Sequence, residues 1–154
     1  MSDATPSLSE FFTHDHRRCD SIWAEVEAVA DQGASENIAA VWRRFENAQR
    51  RHLDMEEQIL FPAFEAATGM TEGPTSVMRS EHAQMRGLLD QMDAAVGAGN
   101  FEELVDLGDT LLLLIQQHNQ KEEHMLYPMS ERALTPQWPD LRAELDQFPE
   151  QPSA

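Results

Sequence analysis

The sequence predicts an all-α protein, an antiparallel up-down-up-down four-helix bundle with a short fifth helix expected near the C-terminal end. Apolar residues recur at helical spacing through four long segments, and none of these segments shows the sustained alternation of a β-strand. Helix-breaking residues separate the segments at 31–35, 68–74 and 97–100. The connections are short, so successive helices are expected to run in opposite directions.

Each predicted helix carries one apolar stripe that should face the core. The stripes are Leu8, Phe12, Cys19, Trp23 and Val26; Ile38, Val41, Phe45, Ala48, Ile59 and Ala63; Met78, Met85, Leu89, Met92 and Val96; and Leu104, Leu107, Leu111, Ile115 and Met125. The first helix should begin at a capping box formed by Ser7 and Glu10, and the fourth should begin at Asn100. Pro62 and Pro128 lie late in the second and fourth helices, where each should bend or end its helix.

The chain divides into residues 1–134, which form the predicted bundle, and a tail at 135–154. Trp138, Leu141, Leu145 and Phe148 have helix-like spacing in this tail. Packing along the bundle or over its end is the favoured interpretation, because apolar residues at helical spacing usually mark a buried face. A dimer contact and a loosely ordered tail are the alternatives, and the sequence leaves a monomer and a homodimer equally open.

Composition excludes several classes of partner. The 154 residues carry a formal charge of −17, which opposes binding to nucleic acid or to an anionic membrane surface. Cys19 is the only cysteine, the N-terminus lacks the features of an export signal, and no apolar run is long enough to span a bilayer. These features predict a cytoplasmic protein.

One histidine and glutamate pattern occurs twice, 66 residues apart. The motif His52-x-x-x-Glu56-Glu57-x-x-Leu60-Phe61-Pro62 returns as His118-x-x-x-Glu122-Glu123-x-x-Leu126-Tyr127-Pro128. The same offset relates Asp15-His16 to Glu81-His82, so each half has a lone histidine followed 36 residues later by a His and a Glu four apart. Two matching half-sites follow. The candidate metal ligands are His16, His52, Glu56, His82, His118 and Glu122.

All six candidate ligands should meet in the core. His16 lies between Phe12 and Cys19 on the inward stripe, and His82 lies between Met78 and Met85. Counting residues from the hairpin turns places the four histidines near one level, because helices rise equally from a shared turn. Each glutamate follows its histidine by about one turn on the same face.

Buried carboxylates need protonation, a partner or a metal. Imidazole and carboxylate donors suit iron first and manganese second, and the lack of thiolates makes a structural zinc site less favoured. If both glutamates bridge, each of two metals receives two histidine nitrogens and two carboxylate oxygens, which leaves two of six positions open. Ordinary core histidines with hydrogen-bonded carboxylates are the alternative, but six residues in two registered sets weigh against it.

The repeat also sorts the remaining polar residues. His14 and His124 have no matching histidine and should be solvated or, at most, lie in the second sphere around the ligands. Glu57 and Glu123 lie about 100° around the helix from the neighbouring glutamate, so we expect interhelical hydrogen bonds or solvent contact before metal binding. Cys19 should be a buried core thiol.

These motifs resemble those of the hemerythrin-like family, the HHE cation-binding domains, and the resemblance extends from Leu8 to about Leu134. It implies a four-helix bundle with a non-haem, oxo- or hydroxo-bridged centre of two iron ions, with Glu56 and Glu122 bridging. Arg86 stands where oxygen-carrying members have a further histidine. Glu122 follows His118 by four residues, whereas the oxygen carriers have an aspartate five residues after the corresponding histidine. The symmetric arrangement looks more like the bacterial iron-centre repair, nitric-oxide-responsive and peroxide-decomposing members.

The resemblance favours a protein that binds or turns over O2, NO or peroxide in an iron, oxidative or nitrosative stress response. The sequence does not decide whether the protein is an enzyme of catalase-like or NO-related type. An iron or oxygen sensor, or an iron buffer without turnover, is the alternative from the binding class. A metal that merely staples the bundle is a third hypothesis.

Overall fold

The computed structural model describes residues 6–33 and 35–149. Within them, seven α-helices form the architecture, and they are α1 (Leu8–Asp31), α2 (Ser35–Met55), α3 (Phe61–Thr68), α4 (Pro74–Gly97), α5 (Phe101–Lys121), α6 (Tyr127–Ala133) and α7 (Trp138–Asp146). Short π-helical segments join α2 to α3 and α5 to α6, so that four long helices make up the predicted bundle. The described residues contain no strand, and the all-α prediction is confirmed.

The predicted caps of the bundle helices are present. The Ser7 side chain accepts a hydrogen bond from the backbone of Glu10, whose carboxylate accepts one from the Ser7 backbone in return. The Asn100 side chain accepts a hydrogen bond from the Glu103 backbone at the start of α5. Such caps satisfy backbone donors that the first helical turn leaves unpaired.

A π-helical turn precedes each of the two repeated prolines. Glu56–Leu60 and Glu122–Leu126 form these turns, and the α-helix then resumes with Pro62 or Pro128 as its second residue. Proline lacks the backbone donor that a continuous α-helix would use there, and the wider turn absorbs the change in hydrogen bonding. The bridging candidates are thus the first residues of the two π turns.

The placement of Met125 in the core was wrong. Its side chain is 56% exposed, whereas Leu126 is buried. A π turn holds more residues than an α turn, which rotates the following side chains relative to the helical stripe extrapolated from α5. The extrapolation assumed an unbroken period of 3.6 residues.

The apolar core forms two clusters on either side of the predicted ligands. One cluster contains Cys19, Trp23, Trp42, Phe45 and Leu111, towards the hairpin turns. The other contains Phe12, Leu60, Phe61, Phe64 and Tyr127, towards the opposite end of the bundle. His16 lies on α1 between Phe12 and Cys19, so the candidate centre lies between the two apolar clusters.

The C-terminal helix α7 packs on the bundle end, as the favoured interpretation of the tail expected. Leu145 is buried against the second apolar cluster, and Trp138 packs there and donates a hydrogen bond to the Pro6 carbonyl. The Arg51 guanidinium donates to the Phe148 carbonyl. Residues 150–154 of the predicted tail lie outside the described residues. In the described part of the chain, no helix is long and apolar enough to cross a membrane.

Gly108 provides a direct test of the packing between α1 and α5. A Cβ atom at this position would lie 2.1 Å from the ring of Trp23, which is buried. We expect Gly108→Ala to lower the free energy of unfolding by about 1–3 kcal/mol, because the indole must move within a filled core. Gly87→Ala is the control, since its Cβ would meet no atom within 4 Å and should stabilise the helix by about 0.5–1 kcal/mol. Urea denaturation of both variants measures the difference, and equal effects would contradict the packing.

Candidate metal centre

The six predicted ligands come together in the interior of the bundle. We call them the six-residue centre, and its members are His16, His52, Glu56, His82, His118 and Glu122. Each is at most 4% exposed. The rings of His16 and His52 are 4.6 Å apart between centroids, and those of His82 and His118 are 4.9 Å apart. The residue count that placed the four histidines near one level is therefore consistent with the fold.

The centre divides into two overlapping groups of four. One group is His16, His52, Glu56 and Glu122, and the other is Glu56, His82, His118 and Glu122. Within each group, one ligand atom from every residue lies within 4.8 Å of the others. Both glutamates belong to both groups, which is the placement that two bridging carboxylates require. The sequence had left open which two histidines belong to the same group. In the fold, the two histidines of each helical hairpin lie in one group.

Every histidine of the centre has a carboxylate at its Nδ1 atom. The pairs and their N to O distances are His16 with Glu123 at 2.7 Å, His52 with Asp15 at 2.8 Å, His82 with Glu57 at 2.7 Å and His118 with Glu81 at 2.8 Å. A carboxylate accepts, so Nδ1 carries the hydrogen in each ring and Nε2 presents its lone pair to the centre when the ring is neutral. This arrangement orients a metal-binding histidine.

Two of these four carboxylates were assigned correctly from the sequence and two were missed. The interhelical hydrogen bonds expected of Glu57 and Glu123 are present. Asp15 and Glu81 had been noticed only as part of the repeat. Their signal was available, since an acidic residue directly precedes the lone histidine in both halves, but the partner of each lies on the next helix, 37 residues away.

Three of the four carboxylates that face the histidine Nδ1 atoms also accept hydrogen bonds from cations. Arg86 donates to Asp54 and Glu57, Lys121 donates to Glu81, and Arg18 donates to Asp15. Arg86 thus holds the carboxylate that orients His82.

The middle of the six-residue centre has many acceptors and few donors. With neutral histidine rings, His52 Nε2, Glu56 Oε1 and Glu122 Oε2 are buried and have no hydrogen-bond partner among the described residues. His82 Nε2 lies 3.0 Å from Glu56 Oε1, and the Nε2 atoms of His82 and His118 are 3.2 Å apart. Lone pairs at such distances repel unless positive charge lies between them. The donor set and its unpaired atoms therefore fit metal cations.

Without a metal, the same need for positive charge is met by protons. Burial lowers the pKa of His52, but the charge of Glu56 and the hydrogen bond to Asp15 outweigh it and hold this pKa well above its usual value. Burial raises the pKa of Glu56, yet the charge of His52 and the bonds with His52 and His82 leave it well below its usual value. The centre therefore favours the binding of cations, either protons or metal ions.

Tyr127 is the polar feature that distinguishes the two halves. Its hydroxyl lies 2.5 Å from Glu56 Oε2, 2.9 Å from Glu122 Oε1 and 3.0 Å from His16 Nε2. The equivalent residue of the other half is Phe61, which has no hydroxyl. Burial and the negative charges of Glu122 and Glu56 hold the pKa of Tyr127 well above its usual value, so the phenol is a neutral donor.

Removal of this hydroxyl should destabilise the metal-free protein. We expect Tyr127→Phe to lower its free energy of unfolding by about 1–3 kcal/mol, because a buried carboxylate loses a donor while the aromatic packing on Phe12 is kept. Urea denaturation of metal-free protein at neutral pH measures the loss. An unchanged free energy of unfolding would mean that the carboxylates do not depend on Tyr127.

The remaining histidines and the cysteine lie as expected. His14 and His124 are exposed. Cys19 is buried, and burial is the main cause that raises its pKa to about 12. It is therefore a neutral thiol with the packing role of a small apolar side chain.

Comparison with known proteins gives one family. Residues 7–130 match the model of the hemerythrin HHE cation binding domain. Comparison with curated proteins and with solved structures found no match. The matched range covers the four long helices as far as α6 and includes all six residues of the centre.

Proposed function

Because the chain belongs to the family of hemerythrin HHE cation-binding domains, we propose that its six-residue centre holds two iron ions and that the protein binds or turns over a small oxidant. The observation that carries the proposal is the sharing of Glu56 and Glu122 between two groups of buried ligands. O2, NO and peroxide are the candidate oxidants. We place this activity in the cytoplasm, in an iron, oxidative or nitrosative stress response.

The ligand set supports two metals with free coordination positions. Each ion would take two histidine nitrogens and one oxygen from each bridging glutamate, which fills four of the six positions of an octahedral ion. Nitrogen and carboxylate donors of this kind favour iron, with manganese and zinc less suited. Bound iron would supply redox chemistry and a position for an exchangeable ligand.

The protein around the centre restricts what can reach it. The Phe12 ring lies edge-on to His52, and the Phe61 ring lies against His82. Phe12, Phe61 and Tyr127 are all fully buried. Because aromatic side chains pack against two of the histidines, we expect a small ligand rather than a bulky one to reach the centre. Tyr127 holds a hydroxyl proton within hydrogen-bonding distance of both Glu56 and Glu122.

Iron content and reactivity test the proposal together. Protein purified in air should contain two irons per chain and show an absorption spectrum that changes on addition of azide, NO or hydrogen peroxide. Oxygen release from peroxide in the same cuvette would support catalase-like turnover. A protein with two irons that ignores all three reagents would favour a purely structural metal, and a protein that takes up no metal would overturn the proposal.

A sensor without turnover is the second candidate, and one contact favours it. Arg51 directly precedes His52 in α2 and donates two hydrogen bonds to the Phe148 carbonyl, beyond the end of α7. A change at the centre could thus reach the C-terminal segment through one side chain. Protease cleavage within 135–149 should then differ between iron-loaded and metal-free protein while oxidants are not consumed.

The carboxylates behind the histidines should tune metal affinity. We expect Asp15→Asn to weaken metal binding about 10- to 100-fold, because the amide no longer fixes the orientation and basicity of His52. Asp31→Asn, at an exposed position at the end of the same helix, is the matched control. Competition with a coloured chelator measures both variants, and equal affinities would contradict a supporting role for Asp15.

A further inference from the structure

A cavity separate from the six-residue centre lies between α1 and α7. Its volume is about 900 Å³, within the range of roughly 300–1,000 Å³ typical of sites for small organic ligands. Residues of α1, Arg51 of α2 and the last residues of α7 line it. We call it the α1–α7 cavity.

The cavity concentrates the scarce positive charge of the protein. Arg17, Arg18, Arg51 and Arg142 line it, which is four of the 11 Lys and Arg residues in a chain of net charge −17. An even distribution of the 11 cations over 154 residues would place about one of them among the 13 residues that line the cavity. Arginine is also the side chain best suited to grip a carboxylate or phosphate, through its planar pair of donors.

Three acidic residues also line the cavity, and each of their carboxylates already accepts a hydrogen bond within the protein. Asp15 accepts from His52 and Arg18, Asp146 accepts from Arg142, and Glu10 accepts from the Ser7 backbone. Four guanidinium groups against three carboxylates leave an excess of one positive charge. A monoanion suits this excess better than a dianion.

Two of the arginines retain donor capacity. Arg17 is exposed and forms no ion pair with a described residue. Arg142 donates from Nε to Asp146, and its Nη1 is buried at the wall without a hydrogen-bond partner among the described residues. The guanidinium of Arg142 also lies 5.2 Å from the centre of the Phe11 ring, which holds it at the wall.

The rest of the wall combines three polar residues, Ser9, Thr13 and His14, with an apolar part. Phe11 and Leu145 contribute to the lining, together with Pro6. We propose that the α1–α7 cavity binds a small organic monoanion, a carboxylate on an apolar body, with the carboxylate held by Arg17 and Arg142 and the body against Phe11 and Leu145. This site shares no candidate metal ligand with the six-residue centre and stands independently of the function proposed for that centre.

Octanoate is the probe that combines both features. Isothermal titration of the full chain should give one octanoate site per chain, and binding of 1-octanol, which has the same apolar body without the charge, should be at least tenfold weaker. Inorganic phosphate, which has charge without an apolar body, should also bind at least tenfold more weakly. Equal binding of octanoate and 1-octanol, or no octanoate binding, would overturn the proposal.

Variants locate the site. Arg17→Gln and Arg142→Gln should each weaken octanoate binding at least fivefold. Arg132→Gln removes the same charge from an exposed position outside the lining and should leave binding unchanged. Circular dichroism checks that α7 remains folded in Arg142→Gln, and Arg17, on the surface of α1, keeps the test valid if it does not. An equal loss in all three variants would mean attraction by overall charge, and the proposal would fail.

Discussion

Glu56→Gln is expected to reduce bound iron from two ions per chain to one or none, with a loss of affinity of more than about 100-fold. Changes behind a metal ligand cost about 10- to 100-fold in affinity, and Glu56 contributes to both ligand groups, so its loss should exceed that range. Glutamine keeps the volume of the side chain and one oxygen. It removes the negative charge that two neighbouring cations would share.

The equivalent change in the other half should have a similar effect. Glu122 also belongs to both groups, and Glu122→Gln should therefore cost most of the metal. Iron analysis after gel filtration, with a chelator competition for affinity, measures both variants. Glu102→Gln, on the exposed face of α5, is the control that should keep two irons.

Full retention of two irons in either variant would remove the bridging assignment. The bundle would then need a different route to two metals, or the metals would lie elsewhere. Circular dichroism of the metal-free variants separates a loss of ligand from a loss of fold. Because the uncharged glutamine occupies the same buried volume, we expect the helices to persist.

The fold and the meeting of the six candidate ligands could be predicted because each depends on local periodicity and on one repeat. The stripe of α1 fixes the inward direction of His16, and the offset of 66 residues between the motifs fixes its partner half. The equal rise of antiparallel helices then sets the depth of all four histidines. None of these steps requires knowledge of a side-chain conformation.

The outer features depend on contacts that periodicity does not specify. The bond from His52 to Asp15 joins two helices and needs the relative rotation of both. The π turns that begin at Glu56 and Glu122 rotate the side chains that follow them. Met125 is therefore exposed, although the stripe extrapolated from α5 predicted that it would be buried. Tyr127 was visible in the motif as the counterpart of Phe61. Only the fold shows that its hydroxyl reaches both Glu56 and Glu122.

Metal removal is expected to make the free energy of unfolding fall as the pH rises from about 6.5 to about 9. Burial lowers the pKa of His82, but its bonds with Glu56 and Glu57 raise it from 6.5 to about 9. The pKa values of His52 and His118 shift in the same direction. A histidine with a raised pKa in the folded state stabilises the fold fully below 6.5, and this contribution disappears as the pH passes 9.

The metal-loaded protein should behave in the opposite way. In the metal-free protein, His82 alone should lower the free energy of unfolding by about 3 kcal/mol between pH 6.5 and pH 9, at about 1.4 kcal/mol for each pH unit. A metal needs the neutral ring, so protons compete with it and its affinity rises with pH. Urea denaturation at pH 6, 7.5 and 9 should thus show a widening gap between loaded and metal-free protein. His14→Gln, at an exposed histidine, should keep the gap, whereas His82→Gln should narrow it. If metal-free protein instead grew more stable towards pH 9, its histidines would be neutral when empty, and the crowded lone pairs would not demand a cation.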